Sequence, residues 1–320
     1  MVSFTDRPEN DALRMVVRRL LEGLLTAWAA VTVTFFALHL TAGDPLSGLL
    51  SRGLATSEQI ETLRVNLGFD VPLPIQYLRY LAGFIRGDLG VSLYSRRSVS
   101  QEILSQLPAT LELALAGFCI AIALGFALGI LSAWKEQRWS GRLSILITGL
   151  ATSLPVAFTG ILALYALRTG YGHLPEGALN PIQRLVLPAL VLGFATAGGI
   201  ARVVQAGLRE SLRQPYMLAA QARGIQSGFR YLWHALKPSL PPAISMSALE
   251  AAFLLSGTVI TETIFARPGL GRLLIDSILE GDFPIAQGIV AVVAIFYTLS
   301  HIIAELLSLA IDPRLRRGAG

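Results

Sequence analysis

The sequence predicts an all-α, polytopic membrane protein with six transmembrane helices, and three observations carry that prediction. Runs of about 20 mostly apolar residues, the length that crosses the hydrocarbon of a bilayer, recur at 20–41, 113–134, 143–167, 185–207, 243–265 and 286–311. Charged residues make up 15% of the 320-residue chain and the mean hydropathy is +0.59, against about 25% charged residues in a soluble domain. The basic residues are also sorted by side. Fifteen lie in alternate connections and tails (Arg7, Arg14, Arg18, Arg19; Lys135, Arg138, Arg142; Arg209, Arg213, Arg223, Arg230, Lys237; Arg314, Arg316, Arg317) and four in the short connections between them (Arg168, Arg184, Arg267, Arg272). Cytoplasmic loops carry such an excess, so both termini are expected in the cytoplasm.

Residues 1–19 read as a cytoplasmic tail. The run at 20–41 follows Arg18 and Arg19 as a signal peptide would, but its apolar core exceeds the roughly 7–15 residues of a signal sequence, so an uncleaved first span is expected. Residues 42–107 form an extracytoplasmic segment with short amphipathic helices: Thr56 and Gln59 have capping-box spacing, and after "VPLP" the residues Ile75, Leu78, Leu81 and Ile85 recur at helical spacing. Residues 108–312 form the core, and 313–320 a cytoplasmic tail. Pro108 is expected to open the second span with Glu112 in its first turn, where a carboxylate complements the helix dipole. Gly125 and Gly129 make a GxxxG pair suited to tight helix packing. Pro155 in the third span and Gly198-Gly199 in the fourth are expected bending points.

Several chemistries are excluded. Cys119 is the single cysteine, so disulfide scaffolds and cysteine metal sites are ruled out. The four histidines, 39, 173, 234 and 301, never fall at i,i+4, so no metal site is expected. Neither Lys135 nor Lys237 sits in a glycine-rich phosphate loop. No triad or carboxylate pair offers a catalytic residue, and no basic–aromatic interleaving suggests a nucleic-acid partner.

What remains is the loop 208–242, and within it "YMLAAQARGIQSGFRYLWHALKPSLPP" at 216–242. Small residues crowd a few turns there, flanked by Arg223 and Arg230. A small-residue helix lets another backbone approach closely, and flanking arginines can add charge-assisted contacts. An amphipathic helix lying on the membrane surface would share that composition. Gly224 is expected to give the helix a tight exit at positive φ.

The residue order favours docking. "Tyr216-x-x-x-Ala220-x-Ala222-Arg223-Gly224", with "His234-Ala235-Leu236-Lys237-Pro238" and "Leu240-Pro241", resembles the EAA loop of importer-type ABC permeases. The resemblance narrows to the B-type subunit of the dipeptide/oligopeptide/nickel permease family. It extends through "RRLL" at 18–21, "GDP" at 43–45, "LGFDVPLPIQYLRYLAGFIRGDLGVS" at 67–92, "LPATLELAL" at 107–115, "LPAL" at 187–190, "ETIFARPGLGRLL" at 262–274, "DFPIAQG" at 282–288 and "DPRLR" at 312–316. The family's Glu-Ala-Ala is here Leu218-Ala219-Ala220, without the acidic residue.

The resemblance implies a type I ABC importer permease architecture working by alternating access. It also implies an ATPase-coupling role for Tyr216, Ala219, Ala220, Ala222, Arg223 and Gly224. It implies a homologous second permease as heterodimer partner, two cytosolic ABC ATPase subunits and an extracytoplasmic substrate-binding protein, all beside membrane lipid. No cofactor is expected in this chain, ATP and Mg being bound by the ATPases. Di- and oligopeptides, nickel or metal chelates and similar small solutes are the implied cargo. Without cysteine or paired histidine at ligand spacing, peptides are favoured over metal complexes.

Two further groups stand out. Glu262, Arg267, Pro268, Gly269 and Gly271 are read as a candidate gate and substrate path, the proline and glycines breaking the fifth helix. Arg202 is expected to be neutralised in the membrane by Glu250 or Glu305. The alternative function, an ion-gradient-driven secondary transporter or channel, would need such intramembrane groups, with His301, to form a relay. Their places near the cytoplasmic ends of their spans suit pairing and snorkelling better.

Overall fold

The fold is seen in a computed structural model that describes residues 8–41, 46–53, 55–171 and 181–311. Its elements, in chain order, are α1 (Pro8–Thr41), α2 (Ser47–Ser51), α3 (Ser57–Leu67), α4 (Leu73–Ile85), α5 (Val99–Trp134), α6 (Trp139–Ser153), α7 (Val156–Tyr171), α8 (Pro181–Leu212), α9 (Pro215–Ala222), α10 (Ser227–Phe229), a π-helical stretch at Arg230–Leu236, α11 (Lys237–Ile264), α12 (Leu270–Glu280) and α13 (Phe283–Ile311). No strand occurs among the described residues. The tail 313–320, His173, "GDP" at 43–45 and "DPRLR" at 312–316 lie outside them.

Among the described residues, four stretches are long and apolar enough to cross a membrane: Val17–Leu40, Val99–Trp134, Arg184–Leu212 and Phe283–Ala304. Two bent pairs bring the number to 6 if each counts as one span. One of these pairs is the third span, expected at 143–167 with a bend at Pro155. Its two helices, α6 and α7, meet at 110°. Leu154 takes φ −86°, ψ 127°, the extended conformation forced on a residue that precedes proline. The other pair bends by 56° between Ser227–Ala251 and Ser256–Ile264.

α8 runs unbroken through Gly198-Gly199 as one span. A Cβ on Gly198 would lie 2.4 Å from Thr152 Cγ2, and one on Gly199 2.3 Å from Glu250 Oε1. The two glycines therefore serve close approach of α6 and α11 to α8. The second span also departs from expectation. It begins at Val99, so Pro108 lies inside α5, and the acidic residue of its first turn is Glu102 rather than Glu112. Burial of Val99 and Ile103 with Leu270, Ile285 and Ile289 offsets the backbone bond that Pro108 cannot make.

The chain divides into two compact units. The first comprises 1–110 with 268–299. There α3 starts with a complete capping box: Gln59 N–H donates to Thr56 Oγ1 (3.3 Å) and Thr56 N–H to Gln59 Oε1 (2.8 Å). Leu46, Leu49, Ile60 and Leu93 form one small core and Leu38, Phe283 and Ala286 another. The buried Asp282 carboxylate accepts from Ser92 Oγ (2.5 Å) and Leu93 N–H (3.2 Å), tying the loop after α4 to the start of α13.

The second unit comprises 111–267 with 300–320. Its core follows a row of small residues on α5. A Cβ on Gly125 would meet Ile200 Cβ at 2.8 Å, and one on Gly129 would meet Val204 Cβ at 2.6 Å and the Ala201 carbonyl at 2.8 Å. Gly117 continues the row, with Leu192 Cδ2 3.0 Å from its Cβ position. The α5–α8 contact is thus made by backbone approach, the means by which helices associate where lipid removes the hydrophobic drive. Ala243 and Leu254 of α11 close the same clusters.

Candidate functional site

The loop between α8 and α11 is built outward from this core. Gln214 stands before α9 in extended conformation with Pro215 at the first helical position, where its missing N–H is no loss. Met217 and Ala220, one turn apart, are the buried residues of α9. Met217 packs with Ala133, Leu208 and Ala235, a burial that contributes about 1.5–3 kcal/mol. Arg209 of α8 donates to Glu136 (2.8 Å), linking the end of α8 to the α5–α6 turn.

The exit of α9 is a Schellman motif. Ile225 N–H donates to Ala220 O (3.2 Å) and Gly224 N–H to Gln221 O (2.9 Å), with Gly224 at φ +72°. No atom lies within 4 Å of a Cβ built there, so the glycine is required by backbone conformation and not by space. The helix therefore presents Tyr216, Leu218, Ala219, Ala222 and Arg223 outward, Leu218 being 70% exposed. Ala220 differs from these: it faces the core at 5% exposure and shares the inward stripe with Met217. Below α9 the π-helical stretch stacks Tyr231 on Trp134 (5.4 Å), and Lys237 lies over Trp233 (5.0 Å).

The second candidate site divides between the units. In the second unit, Glu262 is fully buried and Arg267 is 9% exposed. The Arg267 guanidinium pairs with Glu112 and donates to the Arg184 carbonyl (3.4 Å), so it is held by α5 and α8. In the first unit, Leu270 N–H donates to Thr110 Oγ1 (2.8 Å) at the head of α12. The break between α11 and α12 spans 265–269, with Ala266 at φ 47°. Gly271 does not break a helix; it is buried inside α12. Arg272 pairs along α12 with Asp276 (3.5 Å).

Arg202 is exposed and makes no ion pair with Glu250 among the described residues. It is Gly199, one turn earlier, that faces Glu250. The Glu305 side chain lies outside the described residues. No group of three or more His, Cys, Asp or Glu is arranged to hold a metal among the described residues.

Residues 125–317 match the family described as binding-protein-dependent transport system inner membrane component, and residues 12–114 match the N-terminal region described for the same membrane components. The chain belongs to this family. It is 34% identical, over 95% of its length and 99% of theirs, to the glutathione transport system permease protein GsiC of Escherichia coli strain K12 and of Salmonella paratyphi A. Its fold is similar to a crystal structure of an amino acid ABC transporter with histidines, at TM-score 0.54 and 14% identity, over 66% of this chain and 94% of that one.

The protein is thus an ABC importer permease of the dipeptide/oligopeptide/nickel type, a multi-pass component of the inner membrane. Permeases of this family operate with ATPase and substrate-binding components. Sequence reading found the α9 residues through their order. It missed Met217 as the anchor of α9 and Glu112 as the partner of Arg267. No local signal marks that pair, since the two residues are 155 positions apart.

Proposed function

We propose that this permease carries di- or oligopeptide-type solutes into the cell, as the non-catalytic subunit of an ATP-driven importer with both termini in the cytoplasm. The observation that carries the substrate class is the 34% identity over 95% of the chain to relatives named for glutathione transport. A homologous second permease completes the membrane part, and two cytosolic ATPases hold ATP and Mg. The outward face of α9, through Tyr216, Leu218, Ala219, Ala222 and Arg223, seats in an ATPase cleft, and Gly224 fixes the angle at which α9 leaves it. ATPase closure displaces α9, and Met217 transmits the displacement to α5 and α8. Glu262, Arg267, Pro268, Gly269 and Gly271 serve as the external gate, whose opening requires Arg267 to leave Glu112.

The test is uptake into proteoliposomes holding the assembled transporter and its binding protein. Peptide uptake that needs internal ATP and survives collapse of the proton gradient is expected. Uptake of nickel chelates with none of peptides would overturn the substrate class. Proton-driven uptake by the chain alone would sink the ATP-driven mechanism.

A further inference from the structure

Within the first unit, α1, α4, the loop after it and the start of α13 line a half-open cavity of about 240 Å³. Its walls include the aromatic rings of Phe35, Tyr80 and Phe283. Three of its polar side chains each hold a buried atom with no hydrogen-bond partner: His39 Nε2, Gln76 Oε1 and Gln287 Nε2. Gln287 is only 5% exposed. Buried polar groups are ordinarily satisfied, and each one left unsatisfied is costly. Three on one small cavity call for a common explanation.

Their other bonds fix what each can do. His39 Nδ1 lies 2.8 Å from the Phe35 carbonyl. That oxygen can only accept, so Nδ1 carries the proton and Nε2 of the neutral ring is an acceptor. Gln76 Nε2 donates to the carbonyls of Val71 (2.8 Å) and Phe69 (3.2 Å), which leaves its Oε1 turned to the cavity as a second acceptor. Gln287 Nε2 is a donor. Two acceptors and one donor match a group with several N–H bonds beside a carboxylate or carbonyl oxygen. At the rim Asp88 and Arg79 repeat the pattern with full charges.

We infer that this cavity binds a small zwitterion, of amino-acid to dipeptide size, with its ammonium on His39 and Gln76 and its carboxylate on Gln287. Every residue of the site belongs to this chain and to one unit. Its occupancy would bear on α1 and α13 together.

The experiment is calorimetric titration of the assembled transporter, without binding protein or nucleotide, in phosphatidylcholine nanodiscs with L-alanyl-L-alanine. Saturable binding is expected, weakened about tenfold by Gln287→Leu and by His39→Phe, each removing one hydrogen bond to a charged group. N-acetylation of the dipeptide should weaken it similarly. Gln287→Glu replaces the one donor with an anion and should reverse preference towards alaninamide, a change that a purely structural role would not produce. Displacement by phosphatidylethanolamine would keep the ammonium site and assign it to a lipid headgroup. Absence of saturable binding, or unchanged affinity in all three variants, overturns the proposal. Because no transport step is measured, that failure is separable from failure of the peptide-uptake test.

Discussion

The Arg267 guanidinium, 9% exposed, pairs with the Glu112 carboxylate, joining the segment after α11 to the middle of α5. The carboxylate is itself 58% exposed, so the two partners are unequal. Removing the carboxylate takes an anion from beside a buried cation; removing the cation leaves a carboxylate at an exposed position.

That asymmetry orders the variants. Glu112→Leu should lower the thermal midpoint of the purified transporter more than Arg267→Met, with the double variant recovering part of the loss. Exposure of the carboxylate keeps the difference to about 1–2 kcal/mol. Simple additivity in thermal unfolding would show that the pair does not couple.

Gly224 separates conformation from space. At φ +72° a side chain with a Cβ costs about 1–2 kcal/mol although nothing lies near it. Gly224→Leu should leave membrane insertion intact and uncouple ATP hydrolysis from uptake, while Gly224→Asn, which tolerates left-handed backbone, should retain most uptake. Equal uptake for the two variants in proteoliposomes would count against this.

The two faces of α9 predict opposite defects. Met217→Ala empties part of a buried cluster and should cost about 2–5 kcal/mol of stability with little change in surface chemistry. Leu218→Asp, at a 70% exposed position, should leave the melting temperature within a degree or two and reduce ATPase copurification. A pull-down with tagged permease and a melting curve read both.

Gly129→Val should disrupt the α5–α8 contact, because its Cβ would sit 2.6 Å from Val204 Cβ and 2.8 Å from a backbone carbonyl that cannot retreat. Gly149→Val, with no atom within 4 Å, is the matched control. Monodisperse elution should be lost only for the first. Equal behaviour on size exclusion would remove backbone approach as the basis of the contact.

The sequence by itself determined the all-α class, the apolar spans, the α3 capping box, the Leu154–Pro155 break and the left-handed Gly224, because each depends on residues within a few positions of one another. The order of small and basic residues in 216–224 likewise marked α9. Only the tertiary structure decided which way each helix turns. Ala220 faces inward because Met217 is anchored by α5 and α8, and it is Gly199 of α8 that lies against Glu250 of α11. Pro108 lies inside α5 because Val99 and Ile103 are buried against α12 and α13. The Glu112–Arg267 pair and the cavity of His39, Gln76 and Gln287 join distant segments, and a local pattern holds no record of which distant side chains will meet.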